Sequence, residues 1–286
     1  MRRSREARRQ AREPSLTPSG NGSRPLVAAV PWGLVGLAAL GLLVVPVLGV
    51  LVGQGLVFGR RFAVPPSPVL VDVTVVPSTE AVRSAAPVVE MAAFGDSAMA
   101  GVGVHQLEEA LPVQLACRVA ESLGRPVHVV GYARSGARTI DVLTEQVPLV
   151  RHVPDVSVLV VGTNDVMGVT MPARLARASR ALLDALESLG SSVVMSTLPR
   201  FRSMRRLPHP LMEVVSGYGA VVGAVQRRAA ATRPRVRLVD VGGAVGPEYF
   251  ADVSTLSADA FHPSAAGYGR IADALVPAVL AFLETA

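Results

Sequence analysis

Three hydrophobic rhythms follow one another along the chain. Residues 1–25 show no apolar period, are rich in Arg, Ser and Pro, and read as a disordered arm. From Leu26 to Phe58 almost every position is apolar and none is charged. That run exceeds the roughly 20 residues needed to cross a bilayer as a helix, so it predicts a transmembrane anchor. Residues 59–87 are punctuated by Pro65, Pro66, Pro68, Pro77 and Pro87 and read as a spacer, with a short strand at Val69–Val76.

From Val88 onward, short apolar runs alternate with stretches of helical spacing. Strands are predicted at Val88–Phe94, Val127–Val130, Val156–Val161, Ser192–Ser196 and Val236–Val241. Helices are predicted at Leu107–Leu123, Thr139–Val150, Ala173–Leu189, Leu211–Thr232 and Ser264–Leu283, the fourth despite its three glycines. Such alternation predicts an α/β domain over residues 88–286, a parallel sheet covered by helices on both faces.

Charge adds topology to this picture. The formal net charge is +6, and all of the basic residues are arginine. Arg2, Arg3, Arg5, Arg8, Arg9, Arg12 and Arg24 precede the apolar run, and only Arg60, Arg61 and Arg83 follow closely. Arginine asymmetry places the arm in the cytoplasm and the α/β domain outside, at the plasma membrane. Trp32 stands where an interfacial aromatic is expected, and a kinked membrane helix tolerates Pro46. A cleavable signal peptide has an apolar core of only about 7–15 residues and a small-residue cleavage site; here the run is longer and Arg60-Arg61 follows it. The arginine arm so close to a membrane span argues against a nucleic-acid partner. Cys117 is the single cysteine, which excludes an intramolecular disulfide and a thiolate zinc site. It lies in an apolar helical pattern and reads as a small buried residue.

Candidate chemistry gathers at the ends of the predicted strands, where ligands bind in open α/β sheets. Gly95-Asp96-Ser97 follows the first strand and leads into a glycine-containing loop, placing Ser97 as a nucleophile. Asp259-Ala260-Phe261-His262-Pro263 follows the fifth strand and precedes the last helix. His262 is the partner type that takes a serine proton, and Asp259 could orient its other nitrogen. His105 shares a loop with Ser97 and is a rival base; His128 in its strand reads as structural. Gly162-Thr163-Asn164-Asp165 follows the third strand, and the Asn164 amide could meet an oxyanion, joined by the backbone N–H of Gly136. Asp96 and Asp165 read as loop-bracing acids. Arg200, Arg202, Arg205 and Arg206 overhang the same edge as a candidate rim for substrate or anionic lipid headgroups, with Arg205 and Arg206 as the substrate-rim residues.

Taken together, these blocks resemble the SGNH, or GDSL, hydrolase family: Phe94-Gly95-Asp96-Ser97 with Gly101, then Ser135-Gly136-Ala137, then Gly162-Thr163-Asn164-Asp165, then Asp259 to Tyr268, in family order over about residues 88–284. One departure stands out: many members carry asparagine where this chain has Gly131. The resemblance implies a flavodoxin-like three-layer sandwich with five parallel strands in the order 2-1-3-4-5, preceded here by one transmembrane helix. It implies ester hydrolysis through an acyl-enzyme, with Ser97, His262 and Asp259 catalytic and Ser97, Gly136 and Asn164 forming the oxyanion hole, and with no metal or organic cofactor. The substrate class it allows is a lipid ester, an O-acylated envelope glycan or another small ester; oligomeric state is left open. The alternative from another class is a catalytically idle fold of this kind serving as a binding or scaffolding module of the envelope.

Overall fold

The computed structural model describes residues 48–55, 71–78, 87–203, 207–245, 252–259 and 261–284. The chain divides into two compact units at Leu48. The first is outside the described residues except for Leu48, so the arm and most of the expected anchor lie there; the α/β domain belongs to the second. Of the anchor, 48–55 is helical.

The sheet contains β1 (Asp72–Val75), β2 (Val89–Gly95), β3 (Val127–Gly131), β4 (Val156–Val160), β5 (Ser192–Ser196) and β6 (Val236–Val239). Their order is β1-β3-β2-β4-β5-β6. From β2 to β6 all neighbours are parallel, in the expected order. The expectation of five strands, all parallel, is corrected at one edge: the short strand anticipated within the spacer is β1, and it pairs antiparallel with β3, Asp72 against Val130 and Val75 against Val127. Gly131 accounts for part of this. Its N–H donates to the Val71 carbonyl at 2.8 Å. A Cβ at Gly131 would fall 2.9 Å from that of Val71, so an asparagine there would push the added strand away.

Alternation along the strands separates two cores. On β2, Met91 and Ala93 face the cluster packed by α1 (Leu111–Leu123) and α4 (Ala265–Leu283), while Ala92 and Phe94 face the other. That second face is covered by α2 (Pro172–Ser188), through Leu182, Leu183 and Leu186, and by α3 (Leu211–Ala230), through Ala229 and Ala230. Pleating sends successive side chains to opposite faces, so a strand buried on both sides reads as a continuous apolar run. The three-layer sandwich follows. α4 is the described helix long and apolar enough to span a membrane, yet Tyr268, Ala272, Leu275 and Val279 are fully buried along it. It is the core helix that closes this layer against α1.

Two helices predicted as single units are broken. Leu107–Glu109 forms a separate 3-10 turn, and α1 starts afterwards with Pro112 in its first turn, where a missing N–H costs no helical bond. Between Thr139 and Leu149 a helical turn widens into a π-helical stretch, Val142–Gln146, and tightens into a 3-10 turn containing Pro148. The strand expected to reach Val241 stops at Val239, because the Asp240 carboxylate caps the next turn by accepting from the Gly243 N–H at 3.1 Å.

Candidate active site

The end of β2 is held from three sides. The Gln146 amide clamps Gly95, donating to its carbonyl at 2.8 Å and accepting from its N–H at 3.0 Å. The Asp96 N–H donates to the Val160 carbonyl of β4 at 3.1 Å. Gly95 itself sits at φ 147, and a Cβ there would lie 1.9 Å from the Val160 oxygen. Only glycine lets the chain turn this close to β4. The next turn carries Ser97. Asp96 is buried and accepts from the Ala98 N–H at 3.1 Å. Burial pushes its carboxyl up to about 6, against the Ala98 hydrogen bond and the nearby His262, which favour the charged form, and with the Asp165 carboxylate adding to the rise.

The second loop comes from the far end of the sequence and is shaped around Asp259. One carboxylate oxygen accepts three donors: the Phe261 N–H at 2.8 Å, the His262 N–H at 2.9 Å and the Ser257 hydroxyl at 2.7 Å. The other lies 2.6 Å from His262 Nδ1. Partial burial pulls the Asp259 carboxyl upward, but the His262 ring and these donors outweigh it and hold the group well below the usual carboxylate range. His262 is therefore fixed with Nδ1 on an ionised acid, and its Nε2 lies 3.0 Å from Ser97 Oγ. The Phe261 ring meets the imidazole edge-on at 5.0 Å.

α4 locks the two loops together. Ser264 caps its N-terminus, accepting from Gly267 N–H at 3.2 Å. One turn on, the buried Tyr268 hydroxyl donates to the Val102 carbonyl in the Ser97 loop at 2.6 Å. Tyr268 and Gln146 are the positioning residues that sequence reasoning did not single out. Gln146 carried a usable signal, since it shares a helical face with the apolar Val142, and a polar group on a core face must have partners.

Ser97, Gly136 and Asn164 come from three different strand ends. Among the described residues the N–H groups of Ser97 and Gly136 have no acceptor. Asn164 spends one amide hydrogen on the Ala137 carbonyl at 3.0 Å, which leaves the other to donate. Behind it, Asp165 is fully buried and accepts from both the N–H and the hydroxyl of Thr139, at 2.9 and 2.7 Å, which is the bracing expected of it. His105 is exposed and makes no bond to Ser97 among the described residues; the His262 ring occupies that place. His128 bridges strands, with Glu90 on one nitrogen at 2.7 Å and Asp72 on the other at 2.9 Å. Cys117 is half-buried, and burial pushes its thiol up. Arg205 and Arg206 lie outside the described residues.

Beside Ser97 and His262 lies a cavity of about 100 Å³ with mainly apolar walls, among them Leu111, Val160, Val241, Val245, Phe261 and Ile271. A serine hydroxyl bonded to a histidine that is itself bonded to a carboxylate can attack a carbonyl as its proton passes to the imidazole. Two free backbone N–H groups and an amide on the adjoining loops can receive the resulting oxyanion.

Known proteins carry the same arrangement of elements. The solved structure of the psychrotrophic esterase EstA from Pseudoalteromonas sp., in a form inhibited by monoethylphosphonate, is 14% identical with a TM-score of 0.55, covering 68% of this chain and 98% of that one. The Clostridium thermocellum family 3 carbohydrate esterase is 20% identical with a TM-score of 0.53, covering 69% of this chain and 99% of that one. These likenesses show the fold. In sequence, the GDSL-like esterase Rv1075c of Mycobacterium tuberculosis is 28% identical over 190 residues, covering 65% of this chain. The chain spans 60% of the length of that curated relative. The profile of the GDSL-like lipase/acylhydrolase family matches residues 93–270. That match takes in the loops of Ser97, Gly136, Asn164 and His262 and more than half of the chain, which belongs to the GDSL-like lipase/acylhydrolase family.

Proposed function

We propose that this protein is a membrane-anchored serine ester hydrolase that works through an acyl-enzyme. Ser97 Oγ attacks the ester carbonyl carbon while His262 Nε2 takes its proton. Asp259 holds the imidazole in the tautomer with hydrogen on Nδ1 and stabilises the imidazolium. The oxyanion is received by the N–H groups of Ser97 and Gly136 and by the Asn164 amide. Collapse expels the alcohol, which takes the proton back from His262. A water then repeats the sequence and releases the acid, restoring Ser97.

The observation that carries this reading is the pair of contacts at His262: 3.0 Å to Ser97 Oγ on one nitrogen and 2.6 Å to Asp259 on the other. The apolar cavity next to them supports a substrate with a hydrocarbon part, as in a lipid ester or the acyl group of an O-acylated envelope glycan. The carbohydrate esterase among the similar folds is consistent with the glycan, and the phosphonate-inhibited esterase with a serine nucleophile. The anchor at residues 26–58, the export of the domain beyond it and a contact of Arg205 and Arg206 with substrate belong to the same proposal.

A fluorophosphonate probe tests it. The probe should label the full chain at Ser97, Ser97→Ala should abolish both labelling and ester hydrolysis, and His262→Ala should reduce both to near background. Because the members act as a unit, the double variant should be little worse than the worse single one. Full hydrolysis by Ser97→Ala would refute the proposal.

A further inference from the structure

A second concavity, of about 580 Å³, lies on the other side of the oxyanion loops, between the chain following Gly136 and the start of α2. Three guanidinium groups line it: Arg138, two residues beyond Gly136, and Arg174 and Arg177 on one face of α2. Arg138 has a loose partner in Asp141, with Nε 3.5 Å from the carboxylate. Arg174 and Arg177 have no acceptor among the described residues, so two like charges stand a turn apart without an acid between them. Asp165 also lines the groove, with one oxygen accepting from Thr139, so three guanidinium groups stand against one carboxyl group in the lining.

Large apolar side chains are exposed on the same rim: Ile140 at 38%, Val169 at 68% and Met171 at 60%. Val169 is the one non-glycine residue at positive φ among those described, at 49°. A β-branched residue there is strained, and such strain persists only where its surroundings hold it. Here the Tyr218 hydroxyl, from α3, donates to the neighbouring Thr170 carbonyl. The chain thus keeps a costly conformation that turns two apolar side chains outward beside three arginines. Guanidinium groups next to exposed hydrocarbon match the boundary between charged headgroups and acyl chains.

We infer that this groove binds the headgroup of an anionic lipid, the phosphate on Arg138, Arg174 and Arg177 and the hydrocarbon below it against Ile140, Val169 and Met171. The assignment is independent of turnover at Ser97. It would hold the oxyanion loops at an anionic lipid surface.

The test uses the full chain in neutral maltoside micelles and reads the thermal unfolding midpoint, which a ligand of the folded state raises with its concentration. Dihexanoyl phosphatidylglycerol should raise the midpoint; dihexanoyl phosphatidylcholine and inorganic phosphate should not. Arg174→Gln with Arg177→Gln should leave the ligand-free midpoint unchanged and weaken the phosphatidylglycerol response by roughly tenfold or more in affinity. Arg174→Lys with Arg177→Lys, which keeps the charge, should retain most of it. The arginine arm is present in every variant, so its own attraction to lipid cancels in the comparison. Equal shifts from the two lipids, or an undiminished shift in the glutamine variant, would overturn the inference. A shift with inorganic phosphate as large as with phosphatidylglycerol would assign the groove to free phosphate and overturn the lipid assignment.

Discussion

Asn164 and Asp96 are neighbours of the same chemistry with opposite duties. Asn164 keeps one amide hydrogen free above the Gly136 loop. Asn164→Ala should fold normally and lose about 10²–10³ in kcat, the usual cost of one oxyanion donor. Steady-state kinetics with a p-nitrophenyl ester decide this, and a rate near wild type would reduce Asn164 to a turn residue. Asp96 is held in place by burial and a backbone hydrogen bond, with its carboxyl raised from 3.8 to about 6. An acid raised in the folded state binds protons that the unfolded chain has already lost. Its stabilising share is therefore complete below the unfolded value of 3.8 and disappears as pH rises through about 6. Asp96→Asn, which keeps an acceptor for Ala98, should raise the unfolding midpoint at pH 7.5, with a gain on the order of 1–3 kcal/mol. That gain should shrink towards pH 4, as thermal melts across this range can check. Asp259 runs the other way: held below the usual range, it stabilises the fold at neutral pH and loses that contribution only in strong acid. Both roles were legible as residue types in motifs. Which acid is raised and which lowered depends on burial and on donors from Ser257 and Phe261, and no spacing encodes those.

Among the elements, α4 links the two loops of the site. Its Tyr268 hydroxyl donates to the Val102 carbonyl, 166 residues away in sequence. Tyr268→Phe leaves a buried carbonyl without its donor, a loss of about 1–3 kcal/mol. At roughly 2–4 °C per kcal/mol for a domain of this size, the unfolding midpoint should fall by several degrees. Hydrolysis should fall while the pH profile keeps its shape, because the base itself is untouched; an unchanged midpoint would show that the bond carries no weight. The periodicity located this helix and all five parallel strands; their order came only with the family resemblance. It did not locate the breaks at Ala110 and within Val142–Gln146. In those places a proline or a side chain recruited to another element outweighs helical spacing. Gln146 is the clear case: its amide turns away from its own helix to close on Gly95.

For the whole molecule, the arginine asymmetry about residues 26–58 sets an expected topology. A periplasmic-type reporter fused after Ala286 should be active and a cytoplasmic one silent, and a native N-terminus found near residue 62 would argue against an anchor. The hydrophobic pattern was sufficient for the layers, because short continuous apolar runs, as strands buried on both faces leave, alternate with stretches of helical spacing. The motif residues were equally readable, since Ser97 and Asn164 each stand just after a strand, where strand ends converge on one edge, and His262 stands just before the last helix. Three things waited for the tertiary structure. The antiparallel β1 depends on Gly131 being small enough for Val71, a contact between segments far apart in the chain. The motif already favoured His262 over His105, but the 3.0 Å approach of its Nε2 to Ser97 Oγ is a meeting of loops 165 residues apart. The apolar cavity and the arginine groove are walled by side chains from several elements each. Local spacing reports what one segment prefers, whereas contacts, cavities and shifted acids arise only where segments distant in sequence meet.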